Sequence, residues 1–197
     1  LEEQSIYQVY IESQDTKTYT IPIYQRNYAW EEDEITALIK DVYDSFTKHT
    51  QSPYYIGTLV TYKRDEGKYE VIDGQQRLTT IYIILKTLGI KHLKNSLTYE
   101  ARKVSASTIK QLDDYPNLGD EVDNGIRNGY MFAVKAIAAI VGSSERDAYV
   151  QYFLHSVHII HYSVPKDVDL NHYFEVMNSR GEQLEKHEIV KSTLSQY

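Results

Sequence analysis

Val71-Ile72-Asp73-Gly74-Gln75-Gln76-Arg77-Leu78-Thr79-Thr80 runs from a β-branched stretch through a single glycine into a segment of helical spacing. Read from there outward, the chain contains a buried strand that turns directly into a helix. Downstream, Leu78, Ile81, Tyr82, Leu85 and Leu88 recur at helical spacing, predicting an amphipathic helix closed by Gly89. Upstream, Tyr54 to Tyr62 and Tyr69 to Ile72 read as two strands joined by the polar turn Lys63 to Lys68, which contains Gly67. The unit is a β-hairpin delivered into a helix.

Beyond this centre the pattern mixes both element types. Ile35, Leu38, Ile39, Val42 and Phe46 predict a helix whose first turn carries the acids Glu31 to Glu34, where the helix dipole favours negative charge. Thr18 to Ile23 reads as extended chain, with Pro22 suiting an edge or a strand end, and Glu3 to Ile11 as a short helix. Asn95 to Asp123 is polar, carries Pro116 and Gly119, and reads as helix fragments and a long connection. Helices follow at Asp123 to Val141 and Arg146 to His155, the second with Ser143 and Ser144 as candidate N-caps. Val157 to Val164, stopped by Pro165, is a strand; Leu170, Tyr173, Phe174 and Met177 form a helical stripe ended at Gly181, and Leu184 to Leu194 a last helix. The expected fold class is α+β: a small sheet with a hairpin, surrounded and extended by helices.

A chain of 197 residues with 42% apolar and 25% charged residues is within reach of a single hydrophobic core. One domain is expected over 1–197, with core motifs in 21–90 and 157–194 and a helical insert at about 95–155. No apolar run approaches the ~20 residues a membrane-spanning helix needs, so no membrane partner is expected. The absence of cysteine excludes disulfides and thiolate metal sites. The chain opens at Leu1 without the features of a signal peptide, and a cytoplasmic, excised domain is expected. A net charge of −7 argues against a surface that grips DNA everywhere. Lys86, Lys91, Lys94, Arg102, Lys103 and Lys110, opposed by Glu100 alone, form the one basic stretch. It reads either as a solvated face or as a DNA contact, with Lys91, Lys94, Arg102 and Lys103 as the candidates. The nineteen tyrosines are compatible with base stacking and equally with half-buried packing.

Three clusters carry chemistry. In the first, a strand end that opens a helix aims free backbone N–H groups at whatever lies beyond it, which suits phosphate. Gly74 permits close approach, Arg77 offers a guanidinium fork, and Gln75 or Gln76 can hold a hydroxyl, a water or a base edge. The bland alternative has Asp73 capping the helix and pairing with Arg77. In the second, Ile21-Pro22-Ile23-Tyr24-Gln25-Arg26-Asn27-Tyr28-Ala29-Trp30, an arginine and a glutamine stand between aromatics. Arg26 reads as a phosphate or base contact or as the partner of a following acid, while Tyr28 and Trp30 also fit simple packing. In the third, Phe174-Glu175-Val176-Met177-Asn178-Ser179-Arg180-Gly181-Glu182-Gln183-Leu184, helix termination explains Gly181 but leaves Glu175, Asn178 and Arg180 without a structural reason. No P-loop is present. His155, His158 and His161 lie where a strand turns His158 away from the other two, so no metal site is expected there.

Taken in order, IPIYQRNYAW, then IGTLV with VIDGQQRLTT, then FEVMNSRGEQL with EIVKSTL resemble the N-terminal domain of GmrSD-type, modification-dependent restriction enzymes over about Ile21 to Leu194. That resemblance implies a ParB/sulfiredoxin-like α+β domain that binds and hydrolyses a nucleoside triphosphate through its D-G-Q-Q-R motif. It also implies coupling to cleavage of DNA, often modified, by a separate C-terminal HNH nuclease in phage defence. Carried onto this chain, it makes Asp73, Gln75, Gln76 and Arg77 the catalytic motif. Gln25, Arg26, Gly74, Arg77, Asn178, Arg180 and Gly181 become the nucleotide-binding set, with Mg²⁺ expected to bridge the phosphates. No histidine follows His187, so no HNH nuclease and no DNA cleavage are expected from this chain alone. A sensor without turnover, a module that regulates a partner nuclease, and a homo-oligomer all stay open.

Overall fold

The structure is a computed structural model that describes residues 1–12, 15–91, 93, 96–173 and 175–176. Contacts divide the chain into two compact units, Leu1–Val164 and Pro165–Tyr197. The first is an α+β unit built on a six-stranded mixed sheet. Its strands are β1 (Glu2–Ser5), β2 (Thr18–Ile21), β3 (Tyr54–Asp65), β4 (Lys68–Asp73), β5 (Leu97–Tyr99) and β6 (Val157–Val164), in the order β1-β6-β3-β4-β2-β5. The hairpin β3/β4 and the pair β1/β6 are antiparallel, whereas β3/β6, β2/β4 and β2/β5 are parallel. The helices are α1 (Glu32–Lys48), α2 (Gln75–Thr87), α3 (Lys103–Lys110), α4 (Asn124–Ile140) and α5 (Arg146–His155).

Several expectations are corrected here. Glu3 to Ile11 is not one helix: Glu2–Ser5 is an edge strand, followed by a helical turn that ends in the π-helical stretch Gln8–Glu12. Pairing with Val157–Val164 overrides the polar local sequence, a common outcome at sheet edges. The region 95–155 is not purely a helical insert, because Leu97–Tyr99 adds a parallel strand to β2. The hairpin turn is shorter than Lys63 to Lys68, since β3 runs to Asp65 and β4 starts at Lys68, leaving Glu66 and Gly67. Helix α5 is preceded not by a serine cap but by a 3-10 turn, Ser143–Glu145, in which the Glu145 carboxylate accepts from Gly142 N–H at 3.3 Å.

The largest departure is α2. It is not amphipathic, since every residue from Leu78 to Thr87 is buried. Leu78, Ile81, Ile83, Ile84 and Leu85 are fully enclosed, and each such burial contributes roughly 1.5–3 kcal/mol. Helices α1 and α2 both pack on α4. The buried threonine hydroxyls along α2 are all paired: Thr79 with Tyr99 (2.8 Å), Thr80 with Tyr28 (2.7 Å), and Thr87 donating to the Ile83 carbonyl (3.1 Å). The tyrosines therefore serve the core first. Tyr10, Tyr19, Tyr28, Tyr82, Tyr99, Tyr149 and Tyr152 are buried, and Tyr24 and Tyr55 are the large exposed ones among the described residues.

One buried polar group makes the fold sensitive to pH. His161, only 5% exposed, lies between the Thr61 hydroxyl (2.8 Å from Nε2) and the Gln4 amide oxygen (2.9 Å from Nδ1). A neutral ring satisfies both, with Nδ1–H donating to Gln4 and Nε2 accepting from Thr61. Burial first, then the charges of Lys17 and the amino terminus, push its pKa down to about 4. The folded value lies below the ordinary 6.5, so between the two the unfolded chain binds more protons. Stability present above pH ~6.5 is accordingly lost as pH falls toward ~4, by up to about 3 kcal/mol from this group. Urea midpoints measured at pH 7 and pH 4.5 check this: His161→Gln should flatten the pH dependence, and an unchanged slope would refute the assignment.

The second unit is described only at its start. After Pro165, the Asp169 carboxylate accepts from the N–H groups of Asn171 (3.0 Å) and His172 (3.4 Å) and opens a helical turn at Leu170. Asn178, Arg180 and Gly181 lie outside the described residues.

Candidate phosphate-binding cleft

At Asp73, β4 ends, and Gly74 turns the chain with φ +96° into α2. Glycine is required there twice over. The backbone is in the left-handed region, and a Cβ would stand 2.8 Å from the Thr58 carbonyl oxygen of β3. The Asp73 carboxylate accepts from Gly74 N–H at 2.9 Å and makes no side-chain cap to α2. Among the described residues it forms no ion pair with Arg77. Both elements of the bland reading are thus missing. The first-turn amides of Gln75, Gln76 and Arg77 point out of the helix end without a hydrogen-bond partner among the described residues.

Arg77 turns toward β3 instead. Its guanidinium lies on Gly57, where the β3/β6 register shifts and φ is +143°, and a Cβ on Gly57 would come within 2.7 Å of Arg77 Cζ. Nearby, the Tyr54 hydroxyl has its pKa raised, chiefly by burial and then by Asp41, with the Arg77 charge acting in the opposite sense. Gly57, inside IGTLV, is the contact of Arg77 that sequence reasoning missed; a glycine within a strand signals a bulge or a close approach, and that signal could have found it.

The loop after β2 completes the cleft. Gln25 Nε2 donates to the Ile72 carbonyl (2.9 Å), and its Oε1 accepts from Gln75 Nε2 (3.2 Å). Gln76 is committed to the same loop: Oε1 accepts from Ala29 N–H (2.8 Å) and Nε2 donates to the Asn27 carbonyl (3.0 Å). Tyr28 is driven into the core against Gly125 and Gly129 of α4, so packing explains it. The result is an open cleft of about 370 Å³ lined by Gln25, Arg26, Trp30, Asp73, Gly74, Gln75, Gln76 and Arg77. Two of the sequence clusters thereby meet. Arg26 and Arg77 face this cleft, and neither makes a hydrogen bond or ion pair with the described residues.

The basic stretch does not present a uniform face. The Lys86 ammonium is buried, held by the Asp113 carboxylate and the Lys91 carbonyl, both at 3.0 Å. Arg102, just before α3, reaches back to the loop: it donates to the carbonyls of Gln25 and Ile23 (the latter at 3.4 Å) and to the Asn27 side chain. Lys91, Lys103 and Lys110 remain exposed, and Lys94 lies outside the described residues. Among the described residues no helix is long and apolar enough to cross a membrane.

The family described as GmrSD restriction endonuclease, N-terminal domain, matches residues 6–195 of the chain. A comparison with curated proteins gives no match.

Proposed function

The chain belongs to the N-terminal domain family of GmrSD restriction endonucleases, and from that premise we propose that it binds and hydrolyses a nucleoside triphosphate to regulate DNA cleavage by a separate HNH nuclease. The observation that carries this reading is the pair Arg26 and Arg77, unpaired among the described residues, facing one cleft into which the free amides of α2 open. A half-buried arginine such as Arg77 normally finds a carboxylate; without one, and with the exposed Arg26 beside the same glycine-shaped cleft, it suits a polyanion. A phosphate chain would take its charge-assisted contacts from these guanidiniums and from the N–H groups of Gln75, Gln76 and Arg77. Asp73, exposed beside them, would hold a Mg²⁺-bound water if the metal accompanies the phosphates. Gln25, Gln75 and Gln76 act as positioning residues that fix the loop to the helix. Calorimetric titration with ATP and GTP in Mg²⁺, together with phosphate release, tests the proposal; binding without release leaves a sensor, and no binding of either nucleotide sinks it.

DNA is proposed to lie on Lys91, Lys94 and Lys103 of the basic stretch, of which Lys91 and Lys103 are exposed. Reversing Lys91, Lys94 and Lys103 to glutamate should weaken DNA binding and reduce the salt slope by about 0.9 for each phosphate no longer neutralised, leaving nucleotide affinity intact. Arg102→Glu should do the reverse, because its guanidinium holds the Gln25–Asn27 loop. Filter binding at several salt concentrations and calorimetry separate these outcomes. A triple variant with the parent's DNA affinity and slope would return the lysines to a solvated face.

A further inference from the structure

Trp30 borders two clefts at once. One is the arginine-lined cleft at the start of α2. The other, of about 560 Å³, lies between the start of α1 and α4 and is lined by Tyr28, Trp30, Asn128, Phe132 and the carboxylates of Glu31 to Glu34. Their sizes fall within the range of small-molecule sites. Their chemistry is opposed: guanidiniums and free amides line the first, and aromatic rings with acidic residues line the second, where Glu31 and Glu34 also cap α1 and Glu32 pairs with Lys135. A multiply charged phosphate chain is repelled from the second cleft and drawn to the first. A neutral base and ribose have no such conflict with it, since amino and hydroxyl groups can donate to the carboxylates while the ring finds an aromatic face.

The indole is also well placed to serve as that face. Trp30 is half-buried and packs on the edge of the core, and the preceding residue, Ala29, is tied by its N–H to Gln76 in the first turn of α2. The backbone next to Trp30 is therefore tied to the helix start whose amides are the phosphate donors.

We propose that Trp30 is the base platform of the nucleotide site, with the nucleoside lying across the indole into the α1/α4 cleft while the phosphates occupy the Arg26/Arg77 cleft. This rests on the phosphate-binding reading above and adds to it an orientation and a ligand class: a nucleoside polyphosphate, as opposed to a bare polyphosphate. The roles divide between the two halves. Arg26 and Arg77 supply affinity for any polyphosphate, and Trp30 supplies the preference for one that carries a base.

The test compares ATP and GTP with inorganic tripolyphosphate, titrated calorimetrically into the 197-residue chain. Trp30 is its only tryptophan, so emission reports the indole directly. Stacking predicts that the nucleotides bind about 5- to 150-fold tighter than tripolyphosphate and quench Trp30 emission, while tripolyphosphate binds without quenching. Trp30→Ala should abolish the difference and leave tripolyphosphate affinity unchanged; Trp30→Phe, which keeps a ring against the core, should restore much of it. Equal affinity of nucleotide and tripolyphosphate for the unaltered chain overturns the platform while sparing the phosphate site. A Trp30→Ala variant that weakens both ligands alike, so that the nucleotide keeps its preference over tripolyphosphate, overturns it as well. If neither ligand binds the unaltered chain, both readings fall.

Discussion

Gly74→Val is expected to destabilise the chain by about 2–5 kcal/mol, the largest stability effect of any single change in the cleft. Two penalties combine. A left-handed backbone costs a residue with a Cβ roughly 1–2 kcal/mol, and a β-branched side chain is the least tolerant of it. The new Cβ also meets the Thr58 carbonyl of β3 at 2.8 Å, so that the hairpin and the helix start must separate. An overpacked contact of this kind typically adds ~1–3 kcal/mol. The separation matters functionally because β3 carries Gly57, the surface on which Arg77 rests. Urea denaturation measures the first effect as a lowered midpoint at unchanged slope, with Gly74→Ala as the milder member of the pair. A valine variant as stable as the parent would mean that the turn relaxes freely and does not hold the two strands.

Arg77→Ala is expected to weaken nucleoside triphosphate binding about 10- to 150-fold, the loss that follows from charge-assisted hydrogen bonds worth roughly 1.5–3 kcal/mol. Stability should change little, because the guanidinium has no protein partner among the described residues to leave unsatisfied. Arg77→Lys should recover only part of the affinity: an ammonium restores charge but cannot reproduce the planar fork over Gly57. Calorimetry on folded variants reads both. An alanine variant that binds nucleotide as the parent does would remove Arg77 from the site and with it the main argument for phosphate in this cleft.

The stretch 71–80 was legible because its local rules agree. A β-branched run, one glycine and a helical period describe a strand, a left-handed turn and a helix, and the structure places them so. The meeting of the Gln25/Arg26 cluster with Asp73–Arg77 was also foreseeable from motif order. What escaped was everything decided by partners remote in sequence. Leu97–Tyr99 has no strand-like surroundings and becomes β5 because β2 offers a free edge. The Gln76 side chain looked chemically available, yet its amide is used by a loop 47 positions earlier. Arg102 looked like one more cation in a basic run, while its guanidinium serves a carbonyl 77 positions away. Charge and composition record what a side chain is able to bond to, not which backbone oxygen arrives beside it.

Arg102 joins the opening of α3 to the loop that carries Arg26. Any ligand gripped by Arg26 is thereby linked thermodynamically to a segment it never touches, since opening α3 and β5 would release the loop and the ligand together. The free energy of occupancy raises the cost of that local opening. Amide hydrogens of α3 and β5 that reach solvent only through such an opening then exchange more slowly when the cleft is filled, so their deuterium uptake records occupancy from a distance.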